Sequence, residues 1–217
     1  SLTRYHILVN GAQVYDSFED ITLLREELTP QQAMCMLHFL KSRNVLRGVY
    51  IDGLGHMSRE DFSEIEAVAA TPATAALMRR SYQTDEDLDA VTAQHDSVQK
   101  IIAFFRNPDD KQATIHEITA RFPGYAVSSS LGNNIEINAQ NATKGSALCF
   151  LCEKIGVPIG QCMAFGDGTN DYSMLRAAGL GVAMGNASEE VQACADEVTQ
   201  TNDEDGVAQM IERVLGL

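Results

Sequence analysis

The stretch Met163-Ala-Phe-Gly-Asp-Gly-Thr-Asn-Asp-Tyr-Ser-Met174 decides the fold of this chain. Its apolar beginning, residues 163–165, predicts a strand, and Gly166-Asp167-Gly168 predicts a tight turn. Residues 169–171 then predict the start of a helix. Because α/β proteins bind ligands beyond the carboxyl ends of their strands, we expect a functional site at this turn.

Two carboxylates, Asp167 and Asp171, and the amide of Asn170 crowd the turn. Hard oxygen ligands of this kind suit Mg²⁺, which typically takes one or two carboxylates and completes its shell with water and substrate phosphate. The free N–H groups at the helix start favour an anion. The simpler alternative is an ordinary turn with an Asp at the helix cap, because Gly-Asp-Gly by itself is common.

The longer string resembles the fourth motif of the haloacid dehalogenase (HAD) superfamily of phosphatases, in its Cof-type branch. Residues 178–187, 189–191, 195–196 and 204–208 continue the Cof-type pattern in order. Upstream, Thr143-Lys-Gly-Ser-Ala-Leu148 resembles the third motif, and Ile7-Leu-Val-Asn-Gly-Ala12 resembles the strand that precedes the cap domain. The resemblance implies a doubly wound, Rossmann-like α/β core with an inserted α/β cap of the C2 type. It places core in residues 1–27 and 138–217 and the cap in residues 28–137.

The same resemblance implies a role for each polar residue of the site. Asp167 would bind Mg²⁺ and take part in catalysis, and Asp171 would support the metal site from outside or through water. Lys144, also catalytic, would neutralise the phosphate and orient the nucleophile, while Asn170 would donate a hydrogen bond to a phosphoryl oxygen. Gly168 or Thr169 could add backbone donors.

Lys144 attracts attention on physical grounds as well. The pattern from Thr143 to Ile155 predicts a helix capped by Gly156, so that Lys144 lies in its first turn. A cation there opposes the helix dipole, which costs about 0.3–1 kcal/mol when exposed. A local conflict of this kind is typical of functional positions. The alternative interpretation is an exposed lysine without a function.

The motif that carries the nucleophile in this family is absent. A strand ending in Asp-x-Asp-Gly-Thr is expected before Tyr5, with its first Asp as nucleophile and its second as general acid and base. A Ser or Thr motif that binds phosphate is missing too. The nearest imitation is the run from Val49 to Leu54, but Tyr50 stands where the nucleophile should be, and a simple turn explains Asp52-Gly53.

We therefore expect a core that is incomplete at its N-terminus, in a chain that carries only the metal and phosphate half of the site. In the family's sheet the nucleophile strand lies next to the strand that delivers Asp167. Loss of that strand would leave two apolar edges unpaired, which predicts a homo-oligomer or strand exchange.

The composition of the chain limits the classes of binding partner that it is expected to have. The chain has 217 residues, 45% of them hydrophobic, and 16 basic against 30 acidic side chains give a net charge of −14. This charge argues against nucleic acid or anionic membrane as a partner, and an anionic substrate would need a local cation. No apolar run has the length of a transmembrane helix and no signal-peptide pattern opens the chain, so we expect a cytoplasmic protein.

The predicted function is Mg²⁺-dependent hydrolysis of small phosphate monoesters such as sugar phosphates, with a small phosphorylated metabolite as partner. The alternative is a non-catalytic remnant that binds metal or phosphate without turnover. A third interpretation takes Cys149-x-x-Cys152 as a redox site, but the spacing fits the apolar stripe of a helix and favours core packing.

Several element boundaries complete the expectations. Tyr5 to Tyr15 predicts a hairpin around an Asn-Gly turn. Ser58 is expected to cap a helix that reaches about Ala70. A short acidic helix is predicted from Asp85 to Ala93, and two strands from Tyr125 to Leu131 and from Ile135 to Asn138.

Overall fold

The computed structural model describes residues 3–130 and 132–216. Residue 131, where one predicted strand ends, lies outside the described residues, as do residues 1, 2 and 217 at the outer limits of the predicted core. The chain divides into two compact units, one formed by Ser1–Leu24 with Ala142–Leu217 and the other by Arg25–Asn141. The assignment of residues 28–137 as a cap stays a prediction.

The strands are β1 (Tyr5–Leu8), β2 (Gln13–Asp16), β3 (Ile21–Arg25), β4 (Val45–Ile51), β5 (Leu54–Ser58), β6 (Tyr82–Asp85), β7 (Lys100–Phe105), β8 (Tyr125–Ser128), β9 (Asn134–Ala139), β10 (Met163–Gly166), β11 (Leu180–Ala183) and β12 (Glu197–Val198). The α-helices are α1 (Pro30–Lys41), α2 (Arg59–Ser63), α3 (Pro72–Ser81), α4 (Leu88–Ala93), α5 (Asp110–Arg121), α6 (Lys144–Ile155), α7 (Tyr172–Ala177), α8 (Glu189–Gln192) and α9 (Gly206–Leu215). Within the described part of the chain, no helix has both the length and the apolar character needed to cross a membrane.

The first unit contains the predicted doubly wound arrangement. Strands β10, β11 and β12 are parallel and neighbour one another in that order, with Gly166 of β10 opposite Ala183 of β11. Helices α7 and α8 connect them, and Leu175 packs with Ala183 and Val191 in a small core. The carboxyl ends of β10 and β11 therefore lie side by side, which is where such folds place their sites.

The hairpin at the start of the chain is confirmed, but the two-residue Asn-Gly turn is wrong. Strands β1 and β2 pair antiparallel, and the last pair of the ladder joins Leu8 to Gln13. The four residues between them form a 3₁₀ turn in which Val9 and Asn10 adopt positive φ angles of 51° and 60°. The difference arises because a longer loop, with positive φ angles at Val9, Asn10 and Gly11, ends the ladder one pair earlier.

The second unit is built on a six-stranded sheet in the order β6-β5-β4-β7-β9-β8. One face carries the larger apolar core, in which Leu37 of α1 and Ile118 of α5 pack with Phe105 of β7. The other face buries Met57, Met78 and further residues around α3. Burial on both faces explains why the central strands are almost continuously apolar in sequence.

Two helix boundaries in this unit differ from the predictions. The Ser58 hydroxyl does accept a hydrogen bond from the backbone N–H of Asp61, at 3.0 Å, but α2 ends at Ser63 instead of reaching Ala70. A separate 3₁₀ turn over Ile65–Ala67 follows, since packing of Ile65 and Val68 into the core overrides the helical period.

The acidic helix predicted to begin at Asp85 starts three residues later, at Leu88. Asp85 instead ends strand β6, which pairs parallel to β5. The cap is Asp87, whose side chain accepts hydrogen bonds from the backbone N–H groups of Asp89 and Ala90. Asp85 lies in a strand because pairing with β5, a tertiary contact, decides its conformation.

Candidate functional site

The site is built on the turn that follows β10. After Gly166 the chain passes Asp167 and Gly168, then forms a 3₁₀ turn over Thr169–Asp171 that leads directly into α7. The turn is tight: a Cβ atom added to Gly166 would lie 2.4 Å from the Cβ atom of Asp171. The predicted order of strand, turn and helix start is confirmed at this point.

Asp171 is the buried anchor of the turn. It is 4% exposed, and its Oδ2 atom accepts hydrogen bonds from the backbone N–H groups of Asp167 at 3.0 Å and Gly168 at 3.1 Å. Its Oδ1 atom accepts a hydrogen bond from Lys144 Nζ at 2.5 Å. Both carboxylate oxygens thus have donors from the chain itself, so Asp171 fixes the backbone and the lysine together.

Lys144 is the first residue of α6, as the capping pattern predicts. The Thr143 side chain caps the helix by accepting a hydrogen bond from the Ser146 N–H at 3.1 Å. The next residue, Gly145, donates its N–H to the Ser173 hydroxyl in α7 at 3.0 Å. The first turns of the two helices are therefore tied to each other, and the unfavourable place of Lys144 in the helix dipole is offset by the Asp171 carboxylate.

Asp167 differs from Asp171 in exposure and in side-chain contacts. It is exposed, and among the described residues its carboxylate has no side-chain hydrogen bond or ion pair. It lines an open cleft of about 520 Å³ in the first unit. The lining consists of Ile7, Lys144, Phe165, Gly166, Asp167, Asp171, Met174, Met184 and Val207.

Asn170 and Thr169 complete the turn. The Asn170 Nδ2 atom donates to Asn10 Oδ1 at 3.3 Å, while Thr169 is exposed. Asn10 was not singled out by the sequence as a site residue. The available sequence signal was its place inside the run from Ile7 to Ala12 that resembles a family segment. In the structure the φ angle of Asn10 is positive, a conformation that Asn tolerates.

Asp52 belongs to the second unit and has the simple turn role that its sequence suggests. Asp52 and Gly53 connect β4 to β5 with φ angles of 51° and 81°, as a tight hairpin requires. The Asp52 side chain is 74% exposed and lies 3.4 Å from the Nδ1 atom of His95. It is not among the residues that line the cleft around Asp167.

The donor set of the cleft fits Mg²⁺. Among the described residues, no group of three or more His, Cys, Asp or Glu side chains could hold a metal ion. Mg²⁺ does not require such a group, because it is usually bound by one or two carboxylates with water and phosphate in the other positions. Asp167 offers an unpaired carboxylate, and the Lys144 ammonium lies in the same cleft to favour an anion.

Comparisons with known proteins point to one family. The haloacid dehalogenase-like hydrolase family matches residues 1–211 of the chain. The phosphatase YwpJ of Bacillus subtilis is 49% identical over 87 residues, which cover 40% of this chain and 30% of that protein. A second Bacillus subtilis protein, the 5-amino-6-(5-phospho-D-ribitylamino)uracil phosphatase YcsE, is 43% identical over 103 residues, or 48% of this chain and 41% of that protein.

The chain thus spans less than half of the length of these curated relatives. The fold is shared over a longer range: a haloacid dehalogenase-like hydrolase structure from Bacillus subtilis superimposes with a TM-score of 0.81 at 28% identity and covers 96% of this chain and 78% of that one. The family match extends over nearly the whole chain and includes both the turn at Asp167 and the helix that begins at Lys144. This chain therefore belongs to the haloacid dehalogenase-like hydrolase family.

Proposed function

We propose that the chain is part of a Mg²⁺-dependent phosphatase that hydrolyses small phosphate monoesters such as sugar phosphates. The observation that carries the proposal is the contrast within the cleft. The Asp167 carboxylate is unpaired and exposed, whereas the Lys144 ammonium and the Asp171 carboxylate are held together at 2.5 Å. Family membership and two relatives named as phosphatases support the reaction class.

Each residue has a task that its contacts make possible. Asp167 would bind the metal, and Mg²⁺ when bound would stabilise the negative charge of the phosphoryl group. Lys144 has three N–H donors and uses one on Asp171, so the others are available to a phosphoryl oxygen. Asn170 would donate its side-chain amide to the same group by exchanging its partner Asn10.

Asp171 supports the metal site from outside in this proposal. Its two oxygens already accept hydrogen bonds from Lys144 and from the N–H groups of Asp167 and Gly168. Three of its roughly four lone-pair sites are thus occupied, and a metal bound directly at Oδ1 would face the Lys144 ammonium on the same atom. Its contribution is to hold the turn, and so the Asp167 carboxylate, in one conformation.

The cleft residues form the metal and phosphate half of the site. The family resemblance implies phosphoryl transfer through a covalent intermediate on a carboxylate nucleophile. Of the described residues that line the cleft, only Asp167 and Asp171 are acidic, and each has another task. We therefore assign no nucleophile to this stretch of chain.

The second candidate function is binding of metal or phosphate without turnover. It is favoured by one observation, that Asp167 and Asp171 are the only acidic residues among the described residues that line the cleft. The two candidates share the same metal site and differ only in whether a phosphate ester is cleaved.

The test combines binding and turnover. Calorimetric titration with Mg²⁺ is compared for the chain, for Asp167→Asn, and for Asp203→Asn, a matched change at an exposed aspartate outside the cleft. We expect a loss of at least tenfold in affinity for Asp167→Asn and none for the control. Equal affinity of all three proteins would remove Asp167 from the metal site.

Phosphate release from a panel of small monoesters, measured with the same three proteins, separates the two candidates. Turnover that disappears in Asp167→Asn and survives in Asp203→Asn supports the phosphatase. Metal binding without release of phosphate by any of the three supports the binding function of this stretch of chain.

We also propose that the chain self-associates. Among the described strands, β10 pairs with β11 alone, which leaves one edge of β10 without a strand partner in its sheet. Free strand edges pair with other chains. Sedimentation velocity at micromolar concentration should show a dimer or larger species, and a single monomer peak would contradict the proposal.

A further inference from the structure

Two thiols lie against each other outside the cleft, in the first unit. Cys152 lies near the C-terminal end of α6, and Cys162 immediately precedes β10. Their Sγ atoms are 3.2 Å apart. The partner of Cys152 is therefore Cys162, which is ten residues away, and not the Cys149 of the Cys-x-x-Cys spacing.

We propose that Cys152 and Cys162 form an intrachain disulfide when the protein meets a peroxide. Hydrogen peroxide first oxidises the Cys162 thiolate to a sulfenic acid and is reduced to hydroxide, which takes up a proton to become water. The Cys152 sulfur then attacks the Cys162 sulfur, and the sulfenic oxygen leaves as hydroxide, which is neutralised by the proton of the Cys152 thiol. In total two thiols lose two electrons and two protons, and one peroxide becomes two molecules of water.

The difference in exposure sets the order of these steps. Cys152 is 4% exposed, whereas Cys162 is only half-buried, so a small oxidant reaches Cys162 first. Burial, followed by the hydrogen bond with Cys162, raises the pKa of Cys152 to about 11. A protonated buried thiol is a poor target for peroxide, and it is the 3.2 Å distance between the two sulfur atoms, not the reactivity of Cys152, that places it to resolve a sulfenic acid on Cys162.

Bond formation needs little movement. A disulfide has an S–S distance of about 2.0 Å, so the two sulfur atoms must approach by roughly 1 Å. Between them the helix ends at Gly156 in a left-handed conformation, and a 3₁₀ turn covers Ile159–Gln161. Residues 153–158 are exposed, so this connection can shift without disturbing a core.

The bond would join α6, which begins at Lys144, to the residue that precedes β10, the strand that leads to Asp167, at a distance from the cleft itself. Cys152 is eight residues after Lys144 in the same helix, or about 12 Å along its axis. The proposal therefore concerns a modification of the scaffold and does not depend on the phosphatase assignment.

The experiment is exposure of the purified protein to hydrogen peroxide, followed by a count of free thiols in denaturant. The chain has five cysteines, and we expect the count to fall to three while the protein stays a single chain on non-reducing gels. Trypsin should then release residues 145–154 joined to residues 155–176, and the two peptides should separate on reduction.

A control variant decides which thiol of the first peptide takes part, because that peptide contains both Cys149 and Cys152. In Cys149→Ser the joined peptides must persist. In Cys152→Ala and in Cys162→Ala they must be absent, with folding verified by circular dichroism. The Cys149→Ser result stands alone if a core variant does not fold.

Three outcomes would overturn the proposal. The first is loss of the joined peptides in Cys149→Ser. The second is disulfides only between chains, through the exposed Cys35 and Cys149. The third is an unchanged count of five thiols after treatment that oxidises a reference dithiol.

Discussion

Two turns in this molecule have the sequence Asp-Gly after a strand, and they are held in different ways. At Asp52-Gly53 both residues adopt positive φ angles, and the side chain of Asp52 is 74% exposed. At Asp167-Gly168 the backbone N–H groups of both residues donate to the buried carboxylate of Asp171. The hairpin turn combines positive φ angles with one hydrogen bond from the Gly53 N–H to the Gln99 Oε1 atom at 2.9 Å, whereas both N–H groups of the site turn donate to one buried carboxylate that comes after it.

This difference explains why only one of the two aspartates is suited to bind a ligand. A carboxylate supplied from elsewhere holds the site turn, so Asp167 need not stabilise its own loop and its side chain stays unpaired in the cleft. Asp52 lies beside His95 at the tip of a hairpin. The Asp-Gly dipeptide alone therefore does not predict a ligand site. The presence of Asp171, four residues after Asp167, is the better indicator.

The most direct test of this difference between the two turns is to remove the carboxylate of Asp171. Asp171→Ala would leave Lys144 unpaired and two backbone N–H groups without acceptors, and we expect it to lower the free energy of unfolding by about 2–4 kcal/mol. Urea unfolding followed by circular dichroism measures the change. Asp52→Ala is the matched control and should change stability by less than about 0.5 kcal/mol; equal losses in the two variants would show that the turns are held alike.

The glycines give a second contrast. A Cβ atom at Gly166 would lie 2.4 Å from Asp171 Cβ, whereas one at Gly53 would meet no atom within 4 Å. Gly166→Ala should therefore cost about 1–3 kcal/mol through overpacking. Gly53→Asn should cost less than about 0.5 kcal/mol, because Asn accepts the left-handed conformation of a hairpin turn. Thermal unfolding of both variants tests this, and a tolerated Gly166→Ala would mean that the site turn is looser than its contacts indicate.

A second buried carboxylate in the first unit, Asp16, is held in the same way as Asp171. Asp16 is 3% exposed and, like Asp171, accepts hydrogen bonds from a cation, Arg4, and from two backbone N–H groups, those of Phe18 and Glu19. The Arg4 guanidinium, with help from the two N–H groups, lowers the pKa of Asp16 to about 2.

The sign of the pH dependence follows from that lowered pKa. The unfolded chain has an Asp pKa of about 4, so the stabilisation is complete above pH 4 and is lost as pH falls to about 2. Melting temperatures measured between pH 5 and pH 2 should fall across that window. In Arg4→Met the folded pKa of Asp16 rises towards the unfolded value, so the fall should be smaller and should end at a higher pH; identical profiles for the two proteins would argue against the role of Arg4.

The smallest effect is expected at the other aspartate of the site turn. Because the Asp167 side chain makes no ion pair or side-chain hydrogen bond within the described residues, Asp167→Ala should change the free energy of unfolding by less than about 0.5 kcal/mol. Urea unfolding of this variant beside Asp171→Ala completes the comparison. A large decrease in the free energy of unfolding of Asp167→Ala would mean that both carboxylates stabilise the turn.

Much of the local structure could be predicted from the sequence, because short-range chemistry determines it. Helix α6 runs from Lys144 to Ile155, between the Thr143 cap and the left-handed Gly156, as the capping residues predicted. Strand β10 covers Met163–Gly166, and so includes residues 163–165, which were predicted to form a strand. In both cases the signals lie within the element itself or at its ends.

The predictions failed where residues distant in sequence determine the local conformation or the contacts of a side chain. Strand β6, residues Tyr82–Asp85, has a polar and charged sequence and owes its conformation to pairing with β5. In the site, the sequence named Lys144, Asp167, Asn170 and Asp171. It could not indicate that the Asp171 carboxylate pairs with the Lys144 ammonium, 27 positions away in sequence. Nor could it indicate that Asn170 contacts Asn10, 160 positions away.

The bond between the Gly145 N–H and the Ser173 hydroxyl, with the Lys144–Asp171 pair beside it, has a consequence for ligand affinity. The cation and the carboxylate turn are already ordered before any ligand arrives. An incoming anion would therefore restrict few side-chain rotamers, so little conformational entropy would be lost on binding. Affinity would instead be limited by electrostatic competition, because each anion must share the Lys144 ammonium with a carboxylate that is already bound to it.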